Sequence, residues 1–433
     1  MKICMIGTGY VGLVSGTCFA DLGNKVYCVD KDKTKINKLK NVISPIYEPG
    51  LDDLIRNNFR AKRLSFTDDL EKAVKESQII FICVGTPTKK NSNLVDLSQV
   101  YSVAKSISKY IKSYKIIVTK STVPVTTGDQ IEKIIGKKVK KSLFDVISNP
   151  EFLREGEAIR DFKYPDRIVI GSNNKKIFKK MELLYEPLIK KGAKFFSTSR
   201  KGAELLKYAS NAFLATKITF INEIANLCEV TGINVEDVSV GMGSDARIGS
   251  RFLRAGPAYG GSCFPKDTKG LVSIADKFKI NLSIIKSVIK SNHNRKILLT
   301  KKISKIMNNR IKNKKITVLG VTFKANTDDM RESPSLVLIP YLLKRGGIIK
   351  YHDPSGPKKE FKKNKNLKFE RTLPKACVGA DLIIINTEWD EFKSIDFKKV
   401  VKKNNFKIYD MRNLYNPNEL RKRNIKYYSV GRQ

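Results

Sequence analysis

The chain has 433 residues, enough for two or three domains, and its 41% hydrophobic residues suffice for ordinary globular cores. Its 83 Lys and Arg against 42 Asp and Glu give a formal net charge of +41, which indicates either a nucleic-acid or membrane partner or lysines spread over solvated faces. The second interpretation is favoured, because basic clusters such as 137–141 and 362–365 are short, scattered and free of interleaved aromatic residues.

The cysteine and histidine content argues against a disulfide framework and against a zinc site. There are seven cysteines without a CxxC pair and only two histidines, so we expect no bound metal. Cys4, Cys28 and Cys83 lie in apolar runs typical of inert core thiols. The chain begins with the strand-like MKICMIG and has no apolar run long enough to span a bilayer, which favours a soluble, cytoplasmic protein without membrane insertion.

Residues 2–32 predict a dinucleotide-binding turn between a strand and a helix. Gly7, Gly9 and Gly12 fit G-x-G-x-x-G, whose glycines permit a tight turn, close approach of a pyrophosphate and close packing of helix on strand. Asp30 ends the next strand and is the acidic residue expected to accept the ribose hydroxyls. A carboxylate at this position favours NAD over NADP.

Further strand-like runs (QIIFICVGTP, KIIVTKSTVP, LFDVISNPEF and RIVIG), several separated by helical stretches, predict a doubly wound parallel sheet. Thr86, Thr122 and the segment 149–156 follow strand ends and should face one crevice. Within that segment Glu151 and Glu155 are four residues apart, so a helical turn would place both on one side.

From Ala203 the sequence turns helical, and Gly232 is a suitable stop. Lys207 and Asn211 are four apart and share a face of this helix. Taken alone, such a lysine is usually a solvated surface group. A helix of this length is expected to link two domains and to carry a dimer interface.

A second strand, turn, helix, strand and Asp pattern begins near residue 315 and ends at Asp353. It predicts an internal repeat, and hence a second Rossmann-like domain. Its turn lacks the later glycines, so a second NAD site is not expected. Lys324 and Arg331 on this turn suit a ligand that carries phosphate.

The stretch YGGSCFPKD, residues 259–267, places Cys263 at the start of a predicted helix, with Pro265 in its first turn and Lys266 close by. Both the helix N-terminus and the lysine lower the pKa of a thiol. Together with an NAD-binding fold, an activated cysteine suggests oxidation through a thiohemiacetal and a thioester. The alternative, a structural cysteine at a helix cap, is the minority interpretation.

These segments together resemble the UDP-glucose 6-dehydrogenase family, within the wider group of nucleotide-sugar dehydrogenases. The similarity spans essentially the whole chain and rests on GTGYVGLVSG, VGTP, KSTVPV, NPEFLREGEAI, ELLKYASNAFLA, RFLRAGPAYGGSCFPKD, GVTFKANTDDMRESPS and TEWDEF. It implies an α/β protein with two Rossmann-like parallel-sheet domains joined by a long central helix. The expected domains are an NAD-binding domain at 1–200, a helical dimerisation domain at 201–300 and a UDP-sugar-binding domain at 301–433.

The resemblance implies two NAD-dependent oxidations of UDP-glucose at C6, giving UDP-glucuronate. Cys263 is then the nucleophile, and Lys207 with Asn211 stabilises the oxyanion, which reverses the surface interpretation of Lys207. Asp267 and Thr122 are implied to hold a catalytic water, and Glu155 to assist hydrolysis as a base. Either Lys207 or a water held by Asp267 takes the first alcohol proton.

The resemblance also implies binding residues for both ligands and a contact of Arg251 with the partner subunit's site in a homodimer or larger homo-oligomer. The residues implied for NAD are Gly7, Gly9, Val11, Gly12, Asp30, Lys35, Thr86, Thr122, Glu155, Lys266 and Arg331. The residues implied for the sugar nucleotide are Glu151, Phe152, Leu153, Arg154, Glu155, Lys207, Asn211, Arg251, Phe252, Leu253, Arg254, Ala255, Gly256, Tyr259, Gly260, Lys324 and Arg412.

Three alternatives remain open from the sequence. The same chemistry could act on GDP-mannose or a UDP-N-acetylhexosamine, since the residues that would contact the nucleotide base and C2 of the sugar cannot be identified from the sequence. A one-step NAD dehydrogenase would use Cys263 only structurally. A basic nucleic-acid-binding protein would need a contiguous basic face.

Overall fold

The computed structural model describes residues 1–89 and 92–432, which form two compact units. The N-terminal unit comprises Met1–Ser210 and Gly270–Ile280, and the C-terminal unit comprises Asn211–Lys269 and Asn281–Gln433. Each unit is built around one sheet flanked by helices, as the α/β prediction requires.

The N-terminal unit contains eight strands among its described residues. They are β1 (Lys2–Ile6), β2 (Lys25–Val29), β3 (Leu64–Thr67), β4 (Ile79–Ile82), β5 (Lys115–Thr119), β6 (Phe144–Ser148), β7 (Arg167–Gly171) and β8 (Lys194–Thr198). The helices between them are α1 (Tyr10–Asp21), α2 (Lys33–Lys40), α3 (Leu51–Arg60), α4 (Leu70–Glu76), α5 (Ser98–Ile107), α6 (Thr127–Gly136), α7 (Ala158–Lys163) and α8 (Lys176–Ile189).

The strand order of this sheet is β3-β2-β1-β4-β5-β6-β7-β8. The strands from β3 to β6 are parallel, so the predicted doubly wound sheet is confirmed over six strands. It is wrong for β7, which runs antiparallel to β6. Strand β8, which was not predicted, pairs parallel with β7. The chain re-enters the sheet at the edge where β6 ends, and an antiparallel neighbour needs no crossover to the opposite edge.

Strand alternation divides the core of this unit between the two faces of its sheet. Ile3 and Met5 of β1 pack into one cluster, whereas Cys4 and Ile6 pack into the other. Because both faces are covered by helices, the strand has no polar side, which explains its continuous apolar sequence.

Two long helices continue from one unit into the other. Helix α9 (Arg200–Thr231) spans 32 residues and begins three residues before the start expected from its sequence pattern. Gly232 ends it with a φ of +77°, a conformation that glycine adopts without strain. Helix α11 (Phe264–Lys277) begins directly after Cys263, as predicted.

The C-terminal unit adds further helices and a second sheet. They are α10 (Val235–Ser244), α12 (Ser283–Ile306), β9 (Lys315–Leu319), α13 (Ser335–Lys344), β10 (Ile348–His352), β11 (Leu367–Phe369), α14 (Leu373–Cys377), β12 (Leu382–Ile385), α15 (Phe397–Val401), β13 (Lys407–Asp410), α16 (Pro417–Lys422) and β14 (Lys426–Ser429).

The second sheet confirms the internal repeat. Its order, β11-β10-β9-β12-β13-β14, is that of the first six strands of the N-terminal sheet, and all its pairs are parallel. The two aspartates also correspond: Asp30 accepts the backbone N–H of Thr8 at 2.9 Å, and Asp353 accepts that of Val321 at 2.8 Å. In both units an acidic residue at the end of the second strand therefore fixes the turn after the first.

Across residues 1–89 and 92–432, no helix combines the length and apolarity needed to cross a membrane.

Candidate active site

The turn between β1 and α1 requires glycine at two positions. Gly7 has a φ of +100°, and a Cβ there would lie 2.9 Å from the Cys83 carbonyl oxygen. A Cβ on Gly12 would lie 1.9 Å from the Gly7 carbonyl oxygen, so the helix packs against the turn at backbone distance. A Cβ on Gly9, by contrast, would meet no atom within 4 Å. The space above Gly9, at the N-terminus of α1, fits the pyrophosphate of a dinucleotide.

Asp30 is held as an anion beside this turn. Its Oδ2 accepts hydrogen bonds from the N–H and the hydroxyl of Thr8 at 2.9 and 2.8 Å, and Lys35 Nζ lies 3.3 Å away. Burial by itself raises the pKa of Asp30, but the hydrogen bonds from Thr8 and Asp32 and the charge of Lys35 together hold it below its usual value. An ionised carboxylate at this place suits ribose hydroxyls and repels a 2′-phosphate.

The predicted threonines meet at the carboxyl ends of β4 and β5. The Thr86 hydroxyl donates to the Thr122 carbonyl oxygen at 3.0 Å, which confirms that the two loops share one edge of the sheet. Val11 lies half-buried in the first turn of α1. The N-terminal residues predicted to bind cofactor therefore sit on loops and turns that follow parallel strands, where ligands of such sheets bind.

The segment 149–157 is not helical, so the expectation that a helical turn aligns Glu151 with Glu155 is wrong. Pro150 restricts the residue before it to extended backbone, and Gly156 has a φ of +80° that closes a turn. Glu151 is buried and its Oε2 accepts the Leu153 N–H at 2.6 Å, whereas Glu155 is only half-buried.

Glu48, which the sequence did not single out, anchors the end of this segment. Its carboxylate accepts the N–H groups of Gly156 at 2.6 Å and Ala158 at 2.7 Å, and it also accepts the Tyr10 hydroxyl. No local motif marks Glu48, because its partners lie 108 and 110 residues away.

Lys207 is buried rather than solvated, with 3% of its surface exposed. Its Nζ lies 3.5 Å from Glu151 Oε1 and 5.0 Å from the centroid of the Phe152 ring, and the Arg167 guanidinium stacks on that ring at 4.2 Å. Arg154 of the same segment is exposed and pairs with Asp161. The structure therefore brings Lys207 together with Glu151 and Phe152, all predicted to contact substrate.

In the C-terminal unit, Cys263 stands apart from the other cysteines. The other six are buried, and burial raises their pKa values; they are Cys4, Cys18, Cys28, Cys83, Cys228 and Cys377. Cys263 is half-exposed and lies 3.5 Å, Sγ to Oγ, from Ser262. Its carbonyl oxygen accepts the Asp267 N–H at 2.8 Å as the first bond of α11.

Asp267 is completely buried one turn after Cys263 and is bonded on both oxygens. Asn211 Nδ2 donates to Oδ2 at 2.6 Å, and Lys266 Nζ lies 2.5 Å from Oδ1. Three residues predicted to act near the thiol, Asn211, Lys266 and Asp267, therefore form one hydrogen-bonded group.

The glycines before Cys263 pack against the loop after β9. A Cβ on Gly260 would lie 2.8 Å from the Glu332 carbonyl oxygen, and one on Gly261 would lie 2.7 Å from the Phe323 ring. Gly261 also has a φ of +81°. Both glycines are needed for this packing, a requirement that their sequence did not reveal.

The predicted nucleotide residues form a second group in this unit. Arg412 donates to the carbonyl oxygens of Asn386 at 2.8 Å and Phe323 at 2.7 Å, and Arg254 donates to the carbonyl oxygen of Arg412 at 2.9 Å. Lys324 Nζ lies 5.8 Å from the centroid of the Phe323 ring.

The remaining predicted residues of this unit are placed as follows. Phe252 has a φ of +68°, Leu253, Ala255, Gly256 and Tyr259 are buried, and Arg251 is exposed. Arg331 is exposed and pairs with Asp329 at 2.8 Å. The roles of Lys266 and Arg331 in cofactor binding and of Arg251 at a partner's site stay predictions.

Three family models match the chain. Residues 1–189 match the NAD binding domain of the UDP-glucose/GDP-mannose dehydrogenase family, residues 201–294 its central domain and residues 317–417 its UDP binding domain.

Individual relatives match over the full length. A UDP-glucose 6-dehydrogenase of Rhizobium meliloti is 48% identical over 437 residues and covers 100% of both chains. The solved structure of a UDP-glucose dehydrogenase from Pyrobaculum islandicum is 31% identical, with a TM-score of 0.89 over 100% of this chain and 98% of that one. A UDP-D-ManNAc dehydrogenase from Pyrococcus horikoshii is 26% identical, with a TM-score of 0.86 over 100% and 99%.

The glycine turn, the ionised Asp30 and the repeated α/β units define an NAD-dependent oxidoreductase with a second nucleotide-binding fold. The chain belongs to the UDP-glucose/GDP-mannose dehydrogenase family.

Proposed function

We propose that the protein oxidises C6 of UDP-glucose twice with NAD⁺ and releases UDP-glucuronate. The observation that carries this proposal is Cys263, the half-exposed thiol at the start of α11, in a chain that contains an NAD binding domain and a UDP binding domain. Full-length relatives at 48% and 45% identity that bear the name UDP-glucose 6-dehydrogenase support this substrate.

The chemistry balances with two equivalents of cofactor, and NAD⁺ supplies the hydride acceptor for both steps. The alcohol loses a hydride and a proton to give an aldehyde, and the Cys263 thiol adds to it as a thiohemiacetal. Loss of a second hydride and proton gives a thioester. Water then cleaves the C–S bond, releasing the carboxylate and regenerating the thiol.

Other residues stabilise the charge that develops at C6 and hold the water that cleaves the thioester. Lys207 and Asn211 stabilise the oxyanion at C6, since buried donors act strongly where water is excluded. Asp267 and Thr122 hold the hydrolytic water, and Glu155 assists as a base. The bonds of Asp267 to Asn211 and Lys266 fix its carboxylate, which supports this assignment.

Exchange of the thiol tests the covalent role. Cys263→Ser should lower the rate of UDP-glucuronate formation by about 10³-fold or more, because the weaker serine nucleophile replaces the thiolate. NAD affinity and melting temperature should stay within error of the parent. The matched control is Cys228→Ser, the same exchange at a buried thiol of the same unit, which should retain kcat. Normal turnover in Cys263→Ser would reject the proposal.

A substrate panel tests the choice of sugar nucleotide. UDP-glucose should give a kcat/KM at least about tenfold above those of UDP-N-acetylhexosamines and GDP-mannose, a difference of about 1.4 kcal/mol in transition-state binding. A higher value for another nucleotide sugar would move the assignment to that substrate while retaining the chemistry.

We further propose that the chain forms homodimers through α9. Phe213, Phe220 and Leu227 recur every seven residues along this helix and are 65%, 46% and 56% exposed. An apolar stripe at heptad spacing is typical of helix pairing. Sedimentation of the protein at micromolar concentration should give at least twice the chain mass of 48.9 kDa, and monomers would contradict the proposal.

The division into domains at 1–200, 201–300 and 301–433 is likewise proposed, as is a cytoplasmic location. The six buried cysteines remain thiols, which suits a reducing compartment.

A further inference from the structure

The segment 255–259, which precedes Cys263 in the C-terminal unit, is bonded through its backbone to side chains of two helices. The Gly256 N–H donates to Asn222 Oδ1 of α9 at 2.8 Å, and Arg295 Nε of α12 donates to the Gly256 carbonyl oxygen at 2.7 Å. Both backbone polar groups of Gly256 are therefore satisfied by side chains, although the segment belongs to no strand or helix.

Three residues later, a single side chain makes the same pair of bonds. Asn292 Oδ1 accepts the Tyr259 N–H at 2.9 Å, and Asn292 Nδ2 donates to the Tyr259 carbonyl oxygen at 3.0 Å. One amide thus exchanges two bonds with one residue, as paired residues of neighbouring antiparallel strands do. Asn222, Asn292 and Arg295 are 2%, 7% and 4% exposed, so these bonds are made away from solvent, where an unpaired polar group is costly.

The side chains that make these bonds are themselves fixed. Arg295 Nη1 donates to the Asn222 carbonyl oxygen at 2.9 Å and to Asn226 Oδ1 at 3.2 Å, so it ties α12 to α9 beside the bond to Gly256. Asn292 lies three residues before Arg295 on α12, and the two side chains share one face of that helix. That face therefore binds both ends of the stretch 256–259.

Ala258 lies between these two sets of bonds in a conformation that alanine rarely adopts. Its φ is +148°, within the range that glycine occupies freely because it has no Cβ. Such a conformation raises the free energy of the folded chain and persists where the surrounding contacts fix the backbone. Here the bonded backbones of Gly256 and Tyr259 supply those contacts on either side of Ala258.

We propose that Asn222, Asn292 and Arg295 are positioning residues for the sugar nucleotide. They hold the backbone of 256–259, with Ala258 in its strained conformation, in the arrangement that receives the substrate. This inference rests on the proposed function. It adds to that function three side chains that the sequence did not single out, bonded to the backbone of two predicted substrate residues, Gly256 and Tyr259.

These bonds act on affinity because they order the segment before the substrate arrives. A protein whose binding-competent arrangement is only partly populated binds its ligand more weakly, in proportion to that population. Without Asn292, Ala258 relaxes toward negative φ, and the backbone of Tyr259 and Gly260 moves with it.

The experiment measures the Kd of UDP-glucose by calorimetric titration, without NAD⁺, at a temperature at which every variant is folded. Asn292→Leu removes both bonds to Tyr259. A double variant combines Asn292→Leu with Ala258→Gly, since glycine adopts a φ of +148° without strain. The matched control is Thr300→Val on the same helix, where a buried hydroxyl donates to the Ile297 carbonyl oxygen at 2.7 Å.

Asn292→Leu should raise the Kd of UDP-glucose at least about tenfold, because the strained conformation is no longer held. The Kd of NAD⁺ should stay within about twofold of the parent value, because the glycine turn proposed to bind it lies in the N-terminal unit. The double variant should recover at least about threefold of the lost affinity, since glycine populates the required conformation more often than alanine. Thr300→Val should lower the melting temperature without changing either Kd.

An unchanged Kd of UDP-glucose in Asn292→Leu, an equal increase in Thr300→Val, or no recovery in the double variant would overturn the role of these side chains. If Asn292→Leu does not fold, Asn292→Asp decides the matter, since it keeps an acceptor for the Tyr259 N–H but loses the donor to its carbonyl oxygen. A parent protein that neither binds nor oxidises UDP-glucose would instead overturn the proposed function, so the two failures are distinguishable.

Discussion

Burial and position decide which single residues of this chain can do chemistry. The sequence placed Cys263 correctly at a helix start, because a proline and a glycine turn mark such a boundary locally. It favoured a surface position for Lys207 until the resemblance was considered, because the helix pattern alone does not show that this lysine faces Glu151. Glu48 and Asn292 went unrecognised for the same reason, since their partners are distant in sequence.

Gly261 yields a prediction at this scale. Gly261→Ala should reduce the free energy of unfolding by about 1–3 kcal/mol, because alanine would be strained at a φ of +81° and its Cβ would press on the Phe323 ring at 2.7 Å. Urea unfolding measures the change.

The control for this prediction is Gly241→Ala in α10, where a Cβ would meet no atom within 4 Å. Alanine is the better helix former, so this variant should gain up to about 1 kcal/mol. Equal effects of the two substitutions would show that Gly261 is not required by its conformation and packing.

At the scale of secondary-structure elements, charged residues of α9 bind the start of α6, which follows the loop that carries Thr122. Glu204 of α9 accepts the N–H groups of Thr126 at 2.7 Å and Gly128 at 2.8 Å, and so caps the start of α6. Arg200, one turn earlier, pairs with Asp129 and Glu132 of α6. These contacts fix the polypeptide that follows Thr122.

Glu204 makes this contact dependent on pH. Burial raises the pKa of Glu204 from an ordinary 4.5 to about 7, although the two backbone N–H groups act in the opposite direction. The folded state therefore binds the proton more tightly than the unfolded state, and the stabilisation is lost as pH rises from about 4.5 to 7.

The glutamine in Glu204→Gln cannot ionise, so the stability of this variant relative to the parent should increase between pH 5 and pH 8. The difference in the free energy of unfolding should change by up to about 3 kcal/mol, and the difference in melting temperature should change with it. Calorimetry at several pH values measures this difference. Glu182→Gln on the exposed face of α8 is the control and should show a constant difference. A constant difference in Glu204→Gln as well would refute the assignment.

Element types were more predictable than element directions. Glycine turns and apolar runs indicated β1 and β2, the strands from β4 to β7, and β9 and β10 of the repeat, because these signals are local. The antiparallel direction of β7 was not predictable, since the apolar sequence pattern of a buried strand is the same whether it runs parallel or antiparallel to its neighbour. The extended course of 149–157 was missed because a four-residue spacing of glutamates imitates a helix, while Glu48 and Asn149 hold the segment by tertiary contacts.

The molecule as a whole repeats one α/β design with different turns. The N-terminal copy keeps Gly7, Gly9 and Gly12, which leave room for a pyrophosphate, whereas the second turn keeps only Gly320 and has Thr322 and Ala325 in place of the later glycines. The family models assign NAD to the first copy and UDP to the second, in agreement with this difference. The net charge of +41 is compatible with anionic ligands of both kinds.

The central claim is that one carbon of the sugar is oxidised twice, and the most direct measurement is the number of NADH molecules formed per UDP-glucose consumed. A limiting amount of UDP-glucose, incubated to completion with excess NAD⁺, should give two NADH and one UDP-glucuronate. A final ratio of one NADH per sugar would contradict the account, because it would leave Cys263 without a second oxidation to support.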